Sequence, residues 1–214
     1  MKARSLLLLL LAGLIFDFQV IAAPATITDN GPRRYEAVSS LVFQYRWLKF
    51  PALGVISVDT RTRSFAIEGL SQIGIGVFEL SDKNGVIKCH MPGNLLKRNP
   101  RFATGAANDV MNLFLDLVPP PGARLRETTT SWIYTQDTSA GSLEYQFDKA
   151  TGLLGVKRLS RSSNFLPWCT VIWEARYQNY ARIRGRTCAK VVLFKNRKFH
   201  YAISTRVREM RILQ

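Results

Sequence analysis

Between Leu41 and Met91 the chain alternates apolar and polar side chains with a period of two, and each run ends in residues that favour turns. Leu41, Phe43, Tyr45 and Trp47 share one parity; Val42, Gln44, Arg46 and Leu48 share the other. Phe50-Pro51-Ala52 interrupts the run, after which Leu53, Val55 and Ser57 alternate with Gly54, Ile56 and Val58. Phe65 and Ile67 then face one way, and Gly69, Gly74 and Gly76 punctuate a strand from Ile73 to Leu80. Asp82-Lys83-Asn84-Gly85 reads as a hairpin turn, and Val86, Lys88 and His90 alternate beyond it with Ile87, Cys89 and Met91. A period of two sends successive side chains to opposite faces, so each strand carries one apolar face. Consecutive strands joined by tight turns pair antiparallel, because a parallel neighbour needs a long crossover. The stretch predicts a meander whose aromatic face must be covered by another part of the chain.

Thr104 to Val118 supplies a cover. Ala107, Val110, Met111, Phe114 and Val118 recur at helical spacing and make a single apolar stripe. Thr104 is placed to cap, and Pro119-Pro120-Pro121-Gly122 ends the helix. A second β-region follows. Thr128 to Gln136 is rich in β-branched and aromatic residues, and Leu143, Tyr145 and Phe147 alternate with polar neighbours. Asp148-Lys149-Ala150-Thr151-Gly152 makes a turn, with glycine where positive φ is wanted. Leu153 to Leu159 leads away, and Arg158, Arg161 and the serines after it read as a connection. Cys169, Val171, Trp173, Ala175 and Tyr177 share one face of a long strand. Cys188 to Phe194 and Lys198 to Val207 form a last pair about Asn196-Arg197. Arg33 to Ser40 reads as one or two helical turns ahead of the meander. The expectation is one mainly β (α+β) domain, a curved antiparallel sheet covered on its inner face by an amphipathic helix.

The N-terminus has another purpose. Lys2 and Arg4 precede an apolar run from Leu6 to Phe16, and Ala22-Ala23-Pro24-Ala25 offers small residues for cleavage. This is the pattern of an export signal, too short for a comfortable membrane span. Residues 1–25 are expected to be removed near Ala25, leaving an exported domain over 26–214. The full chain carries a net charge of +15, and removing Lys2, Arg4 and Asp17 leaves +14. Such an excess attracts polyanions. For an exported chain an anionic membrane surface is the expected partner, and nucleic acid is not. Lys97, Arg98 and Arg101, with Arg182, Arg184 and Arg186, are the candidate anion-binding residues.

Cys89, Cys169 and Cys188 make an odd count for an oxidising compartment. Cys169 and Cys188 lie on neighbouring segments and are the expected pair, with Cys89 left as a thiol. There is no CxxC spacing, His90 and His200 are far apart, and neither a metal site nor a cofactor is expected. Gly69-Leu70-Ser71-Gln72-Ile73 misses the nucleophile elbow, and Cys89 and His90 point to opposite faces of a strand. Gly74-Ile75-Gly76 opens no helix that could hold phosphate. A non-enzymatic binding protein is expected.

The order of these features resembles the LolA/LolB-like lipoprotein-localisation family. The resemblance rests on the export signal, the short N-terminal helix, the aromatic-rich meander, the single inserted helix, the turn Phe147-Asp148-Lys149-Ala150-Thr151-Gly152-Leu153, and the long strand Trp168 to Tyr180 followed by two closing strands. It covers nearly all of the chain after residue 25. It implies an unclosed β half-barrel whose apolar inner face, capped by helix, holds acyl chains. No acylated N-terminal cysteine is available here, so the implied member is a soluble paralogue. On this reading the cavity wall comprises Phe43, Tyr45, Trp47, Phe65, Ile67, Trp173 and Tyr177 from the sheet, with Met111 and Phe114 from the helix. The expected cargo is a lipid or acylated protein, and a monomer is favoured. The competing expectation, from a different class, is an envelope docking or structural β-domain that uses its basic surface.

Overall fold

In a computed structural model, the structure describes residues 33–91, 101–163 and 166–213, with the side chains of 162–169 excluded. Residues 1–25, expected to be an export signal, and the residues Lys97 and Arg98 therefore lie outside the described part. Twelve strands and one helix make up the fold: β1 (Arg34–Tyr45), β2 (Leu48–Asp59), β3 (Ser64–Leu70), β4 (Gly76–Lys83), β5 (Val86–His90), α1 (Phe102–Phe114), β6 (Arg124–Glu127), β7 (Ser131–Thr138), β8 (Gly141–Asp148), β9 (Leu154–Ser163), β10 (Leu166–Ile183), β11 (Arg186–Asn196) and β12 (Tyr201–Ile212).

All strands belong to one antiparallel sheet in the order β5-β4-β3-β2-β1-β12-β11-β10-β9-β8-β7-β6. Each half is a meander, and the two are stitched together by β1 pairing with β12, Tyr45 opposite Tyr201 and Tyr35 opposite Ile212. The outermost strands, β5 and β6, do not pair with each other, so the sheet stays an open half-barrel. Because α1 connects those two edge strands, the chain has to cross the concave face to get from one to the other. That crossing puts the helix over the apolar inner face.

Alternation sets which side chains point inward. In β3, Phe65, Ile67 and Gly69 are buried between more exposed neighbours; in β8, Leu143, Tyr145 and Phe147 are. Gly69 has a packing reason: a Cβ there would lie 2.1 Å from the Phe78 ring, so only hydrogen fits. On α1 the buried residues are Phe102, Ala106, Ala107, Asp109, Val110 and Leu113. Phe102, fully buried, plugs the N-terminal end of the helix into an aromatic cluster, its ring centroid 5.4 Å from Tyr201 and 6.5 Å from Phe43. Aromatic pairs at such separations add to the area they bury.

Four expectations are corrected. Arg33 to Ser40 is strand rather than helix, with Tyr35, Ala37, Ser39, Leu41 and Phe43 buried in alternation. Phe50-Pro51-Ala52 does not break the chain but lies within β2. Pro51 is opposite Val42 of β1, while β3 pairs with β2 only from Leu53 onward, so the missing N–H faces no partner strand. The helix runs from Phe102, not Thr104, and stops at Phe114, not Val118; beyond it the Asp116 amide turns back to the Met111 carbonyl and Lys157 takes up the Asn112 carbonyl. Arg158 to Ser163 continues β9 rather than forming a connection.

Candidate functional site

Two apolar cavities lie between α1 and the sheet. The larger, about 90 Å³, is bounded by Tyr35, Ile56, Leu113, Leu117, Tyr177, Tyr180 and Val192, with Thr60 and Thr187 at its edge. The smaller, about 30 Å³, is bounded by Leu41, Phe43, Ile67, Phe78, Leu80, Met91 and Val110. Phe114, the last residue of α1, and Thr205 of β12 line both. Phe114 is therefore the partition between two chambers of one apolar space.

Polar contacts hold the helix in place. Midway along it, the buried Asp109 accepts hydrogen bonds from Asn196 Nδ2 at 2.6 Å and Tyr201 Oη at 2.5 Å. Burial pushes the Asp109 carboxyl up to about 6, against those two donors. At the other end the Tyr177 hydroxyl donates to the Leu113 carbonyl at 3.1 Å. Lys157 of β9 is 0% exposed and donates from Nζ to the carbonyls of Asn112 at 2.8 Å and Asp116 at 2.5 Å. The Asn112 carbonyl is one that the end of a helix leaves without an intrahelical partner, and Asp116 lies two residues beyond that end. The ammonium also sits 4.8 Å from the Tyr145 ring centroid. Desolvation brings the Lys157 amine down to about 7 despite the nearby Asp116 carboxylate. On the outer side, Arg63 of the β2–β3 turn meets Asp116 in a two-pronged ion pair at 2.8 and 3.1 Å. The end of α1 beside Phe114 is thus fastened to both halves of the sheet.

The expected wall residues separate into groups. Phe43 and Ile67 line the smaller chamber, Tyr177 the larger and Phe114 both. Tyr45 packs on Phe102 with centroids 6.3 Å apart, and Phe65 is buried in the core without lining either chamber. Trp173 stacks near Phe194 at 5.9 Å and, with Met111, lines a groove on the far side of α1. Trp47 is 77% exposed at the β1–β2 turn, where the strand has already ended, so it is no wall residue. The residues not anticipated are Tyr35, hidden in the mistaken helix, and the buried polar set Asp109, Lys157 and Thr205. Lys157 could have been found, since it shares parity with the buried Leu159 on β9.

The basic residues do not form one surface. Arg182, Arg184 and Arg186 surround the β10–β11 turn at one end of the sheet, whereas Arg101 precedes Phe102 at the opposite end. That opposite end carries the β1–β2, β3–β4 and β11–β12 turns. There Trp47, Leu48, Ile73 and Ile75 are exposed alongside the exposed cations Arg46, Lys49, Arg197 and Lys198. The cysteine pair is also corrected. Cys188 is a free thiol opposite Ala181, while Cys169 pairs in register with Ser162, about 40 Å along β10 from Ala181 at 3.3 Å per residue. Among the described residues no cluster of His, Cys, Asp and Glu is arranged to hold a metal ion.

No protein-family model matches the sequence, and no curated protein matches it. Solved structures do match. A LolA superfamily protein, NE2245 from Nitrosomonas europaea, superposes with a TM-score of 0.53 at 9% identity, covering 86% of this chain and 87% of that one. A domain from Vibrio parahaemolyticus named for outer membrane lipoprotein sorting gives 0.47 at 8% identity, covering 86% of each chain. A DUF1329 family protein from Desulfovibrio piger gives 0.46 at 6%, covering 85% of this chain and 86% of that one. The fold is LolA-like.

Proposed function

We propose that this protein is a periplasmic, non-enzymatic carrier that holds an acyl chain, free or on a lipidated partner, between α1 and the sheet. The observation that carries this reading is the divided apolar space under a helix whose far end is held by hydrogen bonds rather than by a continuous core. The larger chamber, about 90 Å³, is smaller than the roughly 150 Å³ cavity that admits one benzene, so an acyl chain needs more room than the two chambers offer as they stand. A chain enters when Phe114 swings out and the two chambers merge. Each methylene then buried contributes about 0.8 kcal/mol, so a dozen supply on the order of 9 kcal/mol before the costs of binding. No polar chemistry is required for useful affinity.

Delivery takes place at a membrane. The end bearing Trp47, Ile73 and Ile75 among exposed cations has the composition of an interfacial contact, with apolar tips that enter the headgroup layer and charges that meet anionic lipid. This reading replaces Arg182, Arg184 and Arg186 as the membrane-facing set.

Fluorescent fatty-acid titration tests the carrier. Wild-type protein binds, and Phe114→Asp loses binding while strand content by circular dichroism persists. Absence of binding by wild type rejects the carrier and leaves the docking module, which vesicle sedimentation would still detect.

A further inference from the structure

Thr205 is unlike everything around it. It sits on β12, the strand next to the centre of the sheet, directly opposite Leu41 of β1 and Val192 of β11. Val192 in turn is opposite Tyr177 of β10. Leu41, Thr205, Val192 and Tyr177 thus form one row across four strands of the inner face, all buried. Thr205 is 2% exposed, and its Oγ1 has no hydrogen-bond partner among the described residues. A buried hydroxyl without a partner is costly, and valine would fill the same shape without that cost. The hydroxyl lines both chambers, at the place where Phe114 divides them.

The chambers differ in character. The smaller is walled by apolar side chains apart from Thr205 and the tyrosine at its end, Tyr201, whose hydroxyl is already donated to Asp109. The larger has Thr60 and Thr187 at its edge, and Thr187 is opposite Arg182 in the β10–β11 ladder. Polarity therefore rises from the smaller chamber, through Thr205, to the edge of the larger one.

We propose that Thr205 is the polar anchor of the cavity: its hydroxyl donates a hydrogen bond to the carbonyl of an ester-linked acyl chain. Once Phe114 has swung out and the chambers have merged, the hydrocarbon tail lies along the apolar side chains of Leu41, Ile67, Leu80 and Val110, and the rest of the ligand points toward Thr187 and Arg182. This rests on the carrier reading and adds the class of ligand, an acyl ester rather than any apolar chain, and the direction in which it lies. A plain hydrocarbon would leave the hydroxyl unpaired, so the site discriminates by the group it leaves unsatisfied.

The test uses two probes of equal chain length and identical head group, 1-acyl lysophosphatidic acid and its 1-O-alkyl ether, which lacks only the carbonyl oxygen. Titration below their micelle concentrations, followed by calorimetry, gives the ester-to-ether affinity ratio. Wild type should favour the ester about tenfold, the worth of one neutral hydrogen bond. Thr205→Val should bring the ratio to about one by weakening the ester alone, and Thr205→Ser should keep the preference. Thr205→Val should also melt no lower than wild type, since it removes an unpaired buried hydroxyl. Equal binding of both probes by wild type overturns the anchor while leaving the carrier intact, and needs no variant to fold. Binding of neither probe overturns the carrier, and the anchor with it.

Discussion

Replacing Lys157 with methionine separates the fastening of α1 from the stability of the domain. Methionine has nearly the same length and no charge, so it fills the site while leaving the Asn112 and Asp116 carbonyls without their donor. Two effects oppose each other. Desolvation lowers the amine from 10.5 to about 7, and at about 1.4 kcal/mol per pH unit this disfavours the buried ammonium by roughly 5 kcal/mol. Its hydrogen bonds to the helix end return about 1.5–3 kcal/mol each. At pH 7 the substitution is therefore nearly neutral for the whole domain. The sign of the pH dependence follows from the depressed value. Between pH 7 and 10.5 the unfolded lysine binds a proton that the folded one has released, so wild-type stability gains as pH rises and loses as pH falls toward 7. Urea unfolding of both proteins at pH 7 and 9 measures this, and their difference cancels the tyrosines and cysteines that titrate higher. Wild type should gain about 2–3 kcal/mol over the variant across those two units. Hydrogen exchange at the Leu115 and Asp116 amides, both bonded to the Met111 carbonyl, should quicken in the variant. An unchanged stability difference between pH 7 and 9, with unchanged exchange at these amides, would refute the role given to Lys157.

Asp109→Asn should act in the opposite pH range. The folded carboxyl is raised to about 6 from 3.8, so its protonated form stabilises the wild type below pH 4 and that contribution is lost as pH rises through 6. Thermal melts from pH 4 to 6 should show wild type declining relative to the asparagine variant. Gly69→Ala, which drives a methyl into the Phe78 ring, should cost about 1–3 kcal/mol in urea unfolding; a neutral effect would contradict the packing described. Alkylation of the denatured, unreduced protein should label Cys188, whereas recovery of a Cys169–Cys188 linked peptide would contradict the β10–β11 register.

The strands with large inward side chains were legible in the sequence. Phe65, Ile67, Leu143, Tyr145 and Phe147 alternate with polar neighbours, and a sheet with one covered face has to read that way. β1 was only half legible, since its early inward positions are Tyr35, Ala37 and Ser39. Small and polar residues hide a period of two, and Ser39 is inward because its hydroxyl donates to the Gly54 carbonyl at 3.4 Å. The helix was found by its stripe, but the stripe was centred wrongly. Met111 and Phe114 sit at the flank of a buried face that runs through Phe102, Ala106, Val110 and Leu113, and small alanines gave it too little weight. Phe114 therefore ends up where a partition is needed instead of in the core. Lys157, Asp109 and Thr205 escaped for one reason. A pattern of apolar against polar assigns charged and hydroxyl groups to solvent, and only three-dimensional contacts show which polar group is enclosed. The cysteine pairing failed because adjacency of segments does not fix register.

The central claim is that something apolar occupies the space beneath α1 when the protein is at work. Native mass spectrometry of the full-length gene product, purified without detergent from the compartment in which it accumulates, tests it most directly. A population heavier than the bare chain by the mass of one acyl lipid is expected, released on denaturation and diminished in Phe114→Asp. A single ligand-free mass, unchanged after incubation with acyl lipid, would contradict it.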